Sequence, residues 1–332
     1  MNQLMHPFPY MASILFFIGL LHITGVQSIG VCYGKNGDNL PSESDTINLY
    51  KKNGIQALRV YSADSRVFAA LRGTGIDVIV DISNDRLPEL ADPAGATRWV
   101  QNNIVPYSDV SFKYVAVGNE VYSKNSDSSQ YVKYVLPALK NVHDALSAAG
   151  LQGRIRATTA TYSAVLTNTY PPNQGVFNDD AKDLMIPIVK FLAEKGSPLL
   201  ANIYPYFGRK GDPAHNTLAY ALFTETNPNS AGYRNLFDAM LDSMRAAVQK
   251  AGGQNVRIVV SESGWPSAGG FDASPENAST YYKNLIDHVK RNSIETYLFA
   301  MYDENKKSGD EIERHFGLFH PGQSSKHQIT LN

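Results

Sequence analysis

Three glutamates follow apolar segments that have the character of buried strands. Glu120 ends the segment VAVGNE, Glu262 follows IVVS, and Glu304 ends the segment LFAMYDE. Most glutamates are solvated surface groups. Where parallel strands surround a common axis, however, their carboxyl ends meet at one mouth, and partly desolvated carboxylates there shift one another's pKa. The positions of these three residues therefore favour acid–base chemistry by paired carboxyl groups.

A pair of carboxyl groups suits the hydrolysis of a glycosidic bond when the two lie on opposite sides of a sugar ring. One protonates the departing oxygen, while the other stabilises or attacks the anomeric carbon as positive charge develops. Asp81 competes for one of these roles because it lies in another apolar segment, VIVDI. It lies within that predicted strand, and we expect it to make a buried structural hydrogen bond instead.

Other catalytic chemistries lack their motifs in this sequence. The eight histidines are scattered and Cys32 is the one cysteine, so we expect no metal site and no cofactor. Ser261 and Ser263 flank a glutamate instead of standing between glycines, unlike the nucleophile of a serine hydrolase. A net charge of −1 and a pI near 6.7 leave no basic excess for nucleic acid, which we exclude as a partner.

Short apolar runs alternate with helical patterns eight times after Ser28. The predicted strands are 29–33, 57–61, 77–82, 114–118, 154–159, 199–204, 257–261 and 296–302. The predicted helices include 45–52, 65–72, 94–103, 130–149, 183–195, 235–250 and 275–290. Such alternation predicts either a closed barrel or an open doubly wound sheet. The GKNG segment after the first strand lacks the G-x-G-x-x-G spacing typical of the open sheet, so we expect an α/β fold of the (β/α)8 TIM-barrel type.

The two longest predicted loops, 162–182 and 207–234, both follow strands. They should therefore lie on the C-terminal rim, where barrel enzymes hold their active sites. Within the second loop, residues 208–232 are rich in Asn, Pro and Thr. We expect this part to form a small subdomain on the rim.

The first 28 residues are typical of a secretory signal peptide, with an apolar stretch at 11–21 and cleavage expected near Val26 or Ser28. They contain no Lys or Arg, and a membrane anchor is the alternative, although the apolar run falls short of the ~20 residues that span a bilayer. We expect a single secreted domain over 29–332 that is monomeric and has no membrane partner, with vacuolar delivery as the alternative. A core of this size is sufficient without disulfides.

The motifs resemble those of the plant β-1,3-glucanases of glycoside hydrolase family 17. The resemblance covers essentially the whole chain from Ile29, through the segments IGVCYG, VAVGNE, VSESGWPS and FAMYDENKK. It implies a retaining endo-hydrolase of β-1,3-glucan, such as fungal wall glucan or callose, with a role in plant defence. Glu120 would be the general acid/base and Glu262 the nucleophile, with their carboxyl groups about 5–5.5 Å apart.

The resemblance also implies residues that hold the sugar. Asn119 would bind the 2-hydroxyl, a contact that can strengthen in the transition state. Glu304 and Lys307 would line the catalytic centre. Flat side chains can stack on the apolar C–H faces of sugar rings, and the aromatic residues placed for this are Tyr33, Tyr204, Tyr206 and Phe207.

Asp303 departs from the family's pattern, in which asparagine is expected at this position. Its charge beside Glu304 would alter the pH profile or the affinity for sugar.

Two other functions stay open. A mixed-linkage β-1,3;1,4-glucanase would use the same fold and carboxylates, and a glucan-binding protein without catalysis would use the cleft for recognition alone, although both glutamates are intact.

Overall fold

A closed barrel of eight parallel strands forms the centre of the computed structural model, which describes residues 29–331. The predicted signal peptide and its cleavage site lie outside the described residues. In chain order the strands are β1 Gly30–Tyr33, β2 Ala57–Val60, β3 Asp77–Ile82, β4 Ser111–Asn119, β5 Arg156–Tyr162, β6 Leu166–Thr167, β7 Val176–Phe177, β8 Leu199–Asn202, β9 Ile258–Ser263 and β10 Thr296–Leu298. Around the barrel the order is β1-β10-β9-β8-β5-β4-β3-β2, while β6 and β7 form a separate antiparallel pair. The predicted (β/α)8 barrel is confirmed.

Helices surround the barrel and extend over its rim. The α-helices are α1 Glu43–Lys52, α2 Ser65–Leu71, α3 Leu87–Leu90, α4 Pro93–Asn103, α5 Val132–Ala148, α6 Lys182–Lys195, α7 Pro205–Gly211, α8 Leu218–Ala221, α9 Leu236–Lys250 and α10 Pro275–Arg291. Short 3-10 helices span Asn84–Arg86, Val105–Tyr107, Ser129–Tyr131, Ser163–Val165, Pro172–Gln174 and Glu311–Arg314. Among residues 29–331, none of the helices has the length and apolar character needed to cross a membrane.

The strands are buried on both faces, which explains their continuous apolar sequences. In β3, Val78 and Val80 pack outward against the helices, while Ile79 belongs to the cluster inside the barrel. Successive side chains of a strand point to opposite faces, so one short apolar run supplies both layers. Cys32 lies in the inner cluster and is fully buried, as a small apolar residue of the first strand should be.

Local sequence sets the ends of several helices. The Asp64 carboxylate accepts hydrogen bonds from the backbone N–H groups of Arg66 and Val67, which would otherwise have no partner at the start of α2. Gly196 ends α6 in the left-handed conformation with φ of 62°, where a glycine has no Cβ to clash. Caps of this kind explain why the predicted helix bounds agree with the observed ones to within two residues.

The predicted strand 296–302 is too long, because β10 ends at Leu298. Beyond it, Met301 N–H still donates to Cys32 O of the neighbouring β1, but Ala300 N–H donates to Phe316 O, which lies outside the barrel strands. The predicted strand 154–159 is also shifted, since β5 spans Arg156–Tyr162. On the rim, the predicted loop 207–234 contains α8 and most of α7, and the loop 162–182 contains the β6–β7 pair.

Candidate active site

A cleft of about 880 Å3 opens at the carboxyl ends of the barrel strands. This volume lies within the range typical of ligand-binding sites. The residues singled out from the sequence that line it are Tyr33, Asn119, Glu120, Tyr204, Phe207, Glu262, Glu304 and Lys307. Asp81 does not line it, and the prediction that Tyr206 stacks on a sugar is wrong, because its ring is fully buried outside the cleft. The barrel thus brings together residues separated by up to 274 positions in the chain.

The backbone that carries Glu120 is held in an unusual conformation. Glu120 has φ of 51° and follows Gly118 with φ of 78°, both in the left-handed region. A residue other than glycine in this region costs roughly 1–3 kcal/mol and persists only where its surroundings hold it. Asn84 supplies such a restraint, because its side chain accepts from Asn119 N–H and donates to Asn119 O, both at 2.9 Å. Glu120 N–H also donates to Ala160 O on the neighbouring strand. The turn therefore aims the Glu120 side chain into the cleft.

The surroundings of Glu120 favour its protonated form. Burial raises the pKa of its carboxyl group to about 7, and the nearby negative charge of Glu262 adds to the effect. One hydrogen bond opposes the shift, from Asn202 Nδ2 to Glu120 Oε1 at 2.7 Å. A carboxylic acid that keeps its proton up to this pH can act as a general acid.

Glu262 is surrounded by hydrogen-bond donors. It is the penultimate residue of β9, is almost fully buried, and accepts three hydrogen bonds. Arg59 Nη1 and Tyr61 OH donate to Oε1 at 2.9 and 2.8 Å, and Tyr204 OH donates to Oε2 at 2.7 Å. These donors stabilise a negative charge and fix both oxygens in place. Two carboxyl groups with such different environments can divide the roles of acid and nucleophile.

Arg59 connects the residues of the site and is fully buried. It forms a two-point ion pair with Asp81, with Nε–Oδ1 at 3.1 Å and Nη2–Oδ2 at 2.6 Å, so Asp81 makes the buried structural hydrogen bond expected from the sequence. Nη2 also donates to Asn119 Oδ1, and Nη1 donates to both Asn202 Oδ1 and Glu262 Oε1. Since Asn202 in turn donates to Glu120, a short chain of hydrogen bonds links the two glutamates.

Sequence reasoning missed Arg59, Tyr61 and Asn202. One signal was present for Arg59, because a charged residue inside the otherwise apolar segment ALRVY requires a buried partner. No comparable signal marks the other two. Tyr61 and Asn202 stand at strand ends like many residues that only pack, and their roles depend on which strands are neighbours in the barrel.

Asn119 offers one free donor to the cleft. Its Oδ1 accepts from Arg59 Nη2 at 2.9 Å and from Asn202 Nδ2 at 3.1 Å. Its Nδ2 has no hydrogen-bond partner among residues 29–331, and this group can donate to a hydroxyl of a bound molecule.

Glu304 and Lys307 form the part of the cleft next to β1. Glu304 is buried and its Oε1 accepts from Asn36 N–H at 2.8 Å. Burial raises the pKa of the Glu304 carboxyl group, while Asn36 N–H and the Lys307 charge oppose the shift. Lys307 pairs with Glu313 at 3.0 Å and lies 4.2 Å from the centre of the Phe299 ring. It places a positive charge within reach of the acidic side chains.

The aromatic residues of the cleft differ in exposure. Phe207 is 40% exposed and packs edge-on against Tyr204, so it presents an open ring surface. Tyr204 directs its hydroxyl at Glu262. Tyr33 lines the cleft but is only 1% exposed, with its ring against the edge of Tyr302, which leaves little surface for stacking. Phe299 and Phe316, which sequence reasoning did not include, complete the aromatic wall.

The Asp303 side chain is held by partners other than the cleft residues. Both carboxylate oxygens lie 2.7 Å from Lys326 Nζ, and Oδ1 also accepts from Gly317 N–H at 2.9 Å. Asp303 is not among the residues that line the cleft. The expectation that its charge alters the site is therefore not supported, because Lys326 balances that charge.

The barrel and the two unlike carboxyl groups at its mouth are the arrangement of a glycoside hydrolase. The model of the glycosyl hydrolases family 17 matches residues 29–331, and the chain belongs to this family. It is 53% identical over 337 residues to the glucan endo-1,3-beta-glucosidase acidic isoform GI9 of Nicotiana tabacum, covering 97% of this chain and 98% of the relative. It is 55% identical over 338 residues to a glucan endo-1,3-beta-glucosidase of Vitis vinifera, covering 98% of each.

Two solved structures are similar over most of their length. A beta-1,3-glucanase and allergen of Cryptomeria japonica pollen superposes with a TM-score of 0.89 at 43% identity, covering 92% of this chain and 99% of that one. One of two plant beta-glucan endohydrolases with distinct substrate specificities superposes with a TM-score of 0.86 at 44% identity, covering 91% and 100%. The chain is thus a glycoside hydrolase in both sequence and architecture.

Proposed function

We propose that this enzyme hydrolyses internal bonds of β-1,3-glucan with retention of anomeric configuration, and that Glu120 and Glu262 carry out the reaction. The observation that carries the proposal is the contrast between the two carboxyl groups: burial favours the protonated form of Glu120, while three donors surround Glu262. The linkage and the endo mode are supported by the names of relatives that share more than half of their residues with this chain.

In the first step, a Glu262 oxygen attacks the anomeric carbon while Glu120 gives its proton to the departing glycosidic oxygen. The products are a glycosyl ester on Glu262 and the shortened glucan that leaves. The ester carries no charge, so the repulsion that helps to raise the pKa of Glu120 disappears. The pKa of Glu120 therefore falls, so Glu120 stays ionised after it has given up its proton. It can then act as the base of the second step, taking a proton from water as the water oxygen attacks the anomeric carbon and displaces Glu262.

Substitution of the nucleophile tests the mechanism. In Glu262→Gln the shape and most donor contacts of the side chain are kept, so hydrolysis of laminarin should be lost while the binding of β-1,3 oligosaccharides largely persists. NMR observation of the first product formed by the unaltered enzyme should detect the β-anomer. Turnover that survives the substitution undiminished, or a first product in the α form, would refute this mechanism.

A mixed-linkage β-1,3;1,4-glucanase is the second candidate. It is favoured by the similarity to an enzyme from a pair of plant beta-glucan endohydrolases that differ in specificity. Release of reducing sugar from laminarin but not from barley mixed-linkage glucan supports the first candidate, and the reverse supports the second. A glucan-binding protein without catalysis would hydrolyse neither substrate.

We also propose that the enzyme is secreted as a monomer after removal of the leader peptide. The apolar stretch at 11–21 supports this, and β1 begins at Gly30, directly after the expected cleavage region. N-terminal sequencing of protein recovered from the medium should find a first residue between 27 and 29, and size-exclusion chromatography should give the mass of one chain. Retention in a membrane fraction or in the vacuole would contradict secretion.

A further inference from the structure

A second cavity, of about 270 Å3, lies at the end of the barrel opposite the cleft. Its lining comes from the starts of β4, β5, β8 and β9, which are neighbours in the barrel. Four of its lining side chains are cationic: Lys113, Arg154, Arg156 and Arg257. The whole chain has a net charge of −1, so this concentration of positive charge is local.

The ion pairs of these side chains leave an excess of positive charge. Lys113 and Arg257 share the buried Glu295, at 2.9 and 2.6 Å. Lys113 also lies 3.8 Å from Asp77. Among residues 29–331, Glu295 and Asp77 are the two carboxylates that pair with these cations. Four cations and two carboxylates leave two positive charges. A partly enclosed cavity with such an excess attracts anions.

Arg156 is the cation best placed to bind one. Basic residues near the ends of helices and loops often satisfy backbone carbonyls, and Arg154 does this by donating to Ser108 O at 3.0 Å. Arg156 is half-buried, yet within the described part of the chain its guanidinium makes neither a hydrogen bond nor an ion pair. A guanidinium with all of its donors unused matches the geometry of an oxyanion.

We propose that this cavity binds a small oxyanion of the phosphate or sulfate type, held by the Arg156 guanidinium. Its volume is slightly below the roughly 300 Å3 at which pockets for drug-sized ligands begin, so the ligand is a small anion and not a polymer. The site is separate from the glucan cleft, since the strands run from one to the other.

Calorimetric titration with inorganic phosphate at constant ionic strength tests the proposal. The unaltered enzyme should bind one phosphate saturably. Arg156→Gln should weaken the affinity about tenfold or more, because it removes charge-assisted hydrogen bonds. The matched control is Arg98→Gln on α4, a mostly exposed arginine whose nearest carboxylate, that of Glu89, is 3.9 Å away, and it should bind phosphate like the unaltered enzyme.

Arg156→Gln removes no protein contact, so its thermal midpoint without phosphate and its hydrolysis of laminarin should stay unchanged. The absence of saturable binding to the unaltered enzyme would overturn the proposal. Equal phosphate affinities of Arg156→Gln and the unaltered enzyme would also overturn it, because they would indicate non-specific attraction of phosphate to positive charge.

Discussion

Arg59 Nη1 lies 2.9 Å from Glu262 Oε1, and both side chains are buried in the floor of the cleft. The same guanidinium holds Asp81 by two hydrogen bonds, so a single cation is shared by two carboxylates on different strands. Neither carboxylate has another basic residue as an ion-pair partner in residues 29–331. The charge balance of the barrel interior therefore depends on Arg59.

Arg59→Lys should reduce both stability and activity. Lysine keeps the charge but cannot reach both carboxylates with a planar fork of donors. Breaking a buried pair costs about 3–5 kcal/mol, which chemical unfolding would measure as a lower free energy of unfolding. The control is Arg72→Lys, in an exposed pair with Asp109, which should change stability by less than about 1 kcal/mol. Equal effects at the two sites would contradict the central role of Arg59.

Tyr204→Phe should lower kcat by about 10- to 100-fold, because it removes a hydrogen bond to a charged group, worth about 1.5–3 kcal/mol. KM should change little, since the hydroxyl acts on Glu262. The matched control is Tyr206→Phe, which removes a buried hydroxyl that has no hydrogen-bond partner among residues 29–331. Steady-state kinetics on laminarin should find the control unchanged. A fall of kcat in both variants would mean that the loss of activity comes from changed packing of the aromatic side chains and not from the lost hydrogen bond to Glu262.

The barrel and the two glutamates were predictable because their signals are local. Eight apolar runs bounded by helical patterns identify the strands, and a carboxylate at the end of such a run lies at the mouth wherever the strands close. The burial of Cys32 and the structural hydrogen bond of Asp81 likewise follow from the positions of these residues within strands. The rim was less predictable: α7 and α8 are short, and their formation depends on packing against neighbouring helices more than on propensity.

The partners of the glutamates could not be predicted because they depend on contacts between distant strands. Glu262 meets Arg59 and Tyr61 from β2 and the residue after it, across the interior of the barrel. Asp303 illustrates the same limit. Its sequence neighbour is Glu304, yet its side chain binds Lys326, which lies in a C-terminal segment with no regular secondary structure.

The pH dependence should follow the protonation of Glu120. The group must carry a proton to act as the acid, so kcat/KM should fall as the pH rises through about 7, the pKa to which burial raises it. Glu262→Gln removes the neighbouring negative charge and should lower the pKa of Glu120. Carbon NMR titration of the Glu120 carboxyl group would measure both values. An unchanged pKa in the variant would show that the two carboxyl groups do not interact.

Gly34→Ala should displace Glu304. A Cβ at this position would lie 2.3 Å from Glu304 Oε2, closer than any real contact, so the carboxylate must move away from Asn36 N–H. A shift of about 1 Å in a group of the site can cost up to about 100-fold in rate. Gly153→Ala, with no atom within 4 Å of its Cβ, is the control and should retain full activity on laminarin. Full activity of both variants would exclude Glu304 from the working site.

Asp303→Asn separates two roles for the residue that departs from the family pattern. If the Asp303 charge acted on the glutamates, its removal would shift the pH dependence of kcat/KM. We expect no shift, because the carboxylate is bound by Lys326 and does not line the cleft. Stability should fall instead, by about 1.5–3 kcal/mol, since a charge-assisted hydrogen bond is lost and the Lys326 side chain is only 8% exposed.

The double variant Asp303→Asn with Lys326→Met should recover part of the stability lost in Asp303→Asn, because it no longer leaves a buried ammonium group without its carboxylate. Asp179→Asn, in an exposed pair with Lys182, supplies the control and should leave the free energy of unfolding almost unchanged. A pH profile that moves in Asp303→Asn while stability stays constant would reverse the assignment. The charge of Asp303 would then act on Glu120 and Glu262 despite the neighbouring lysine.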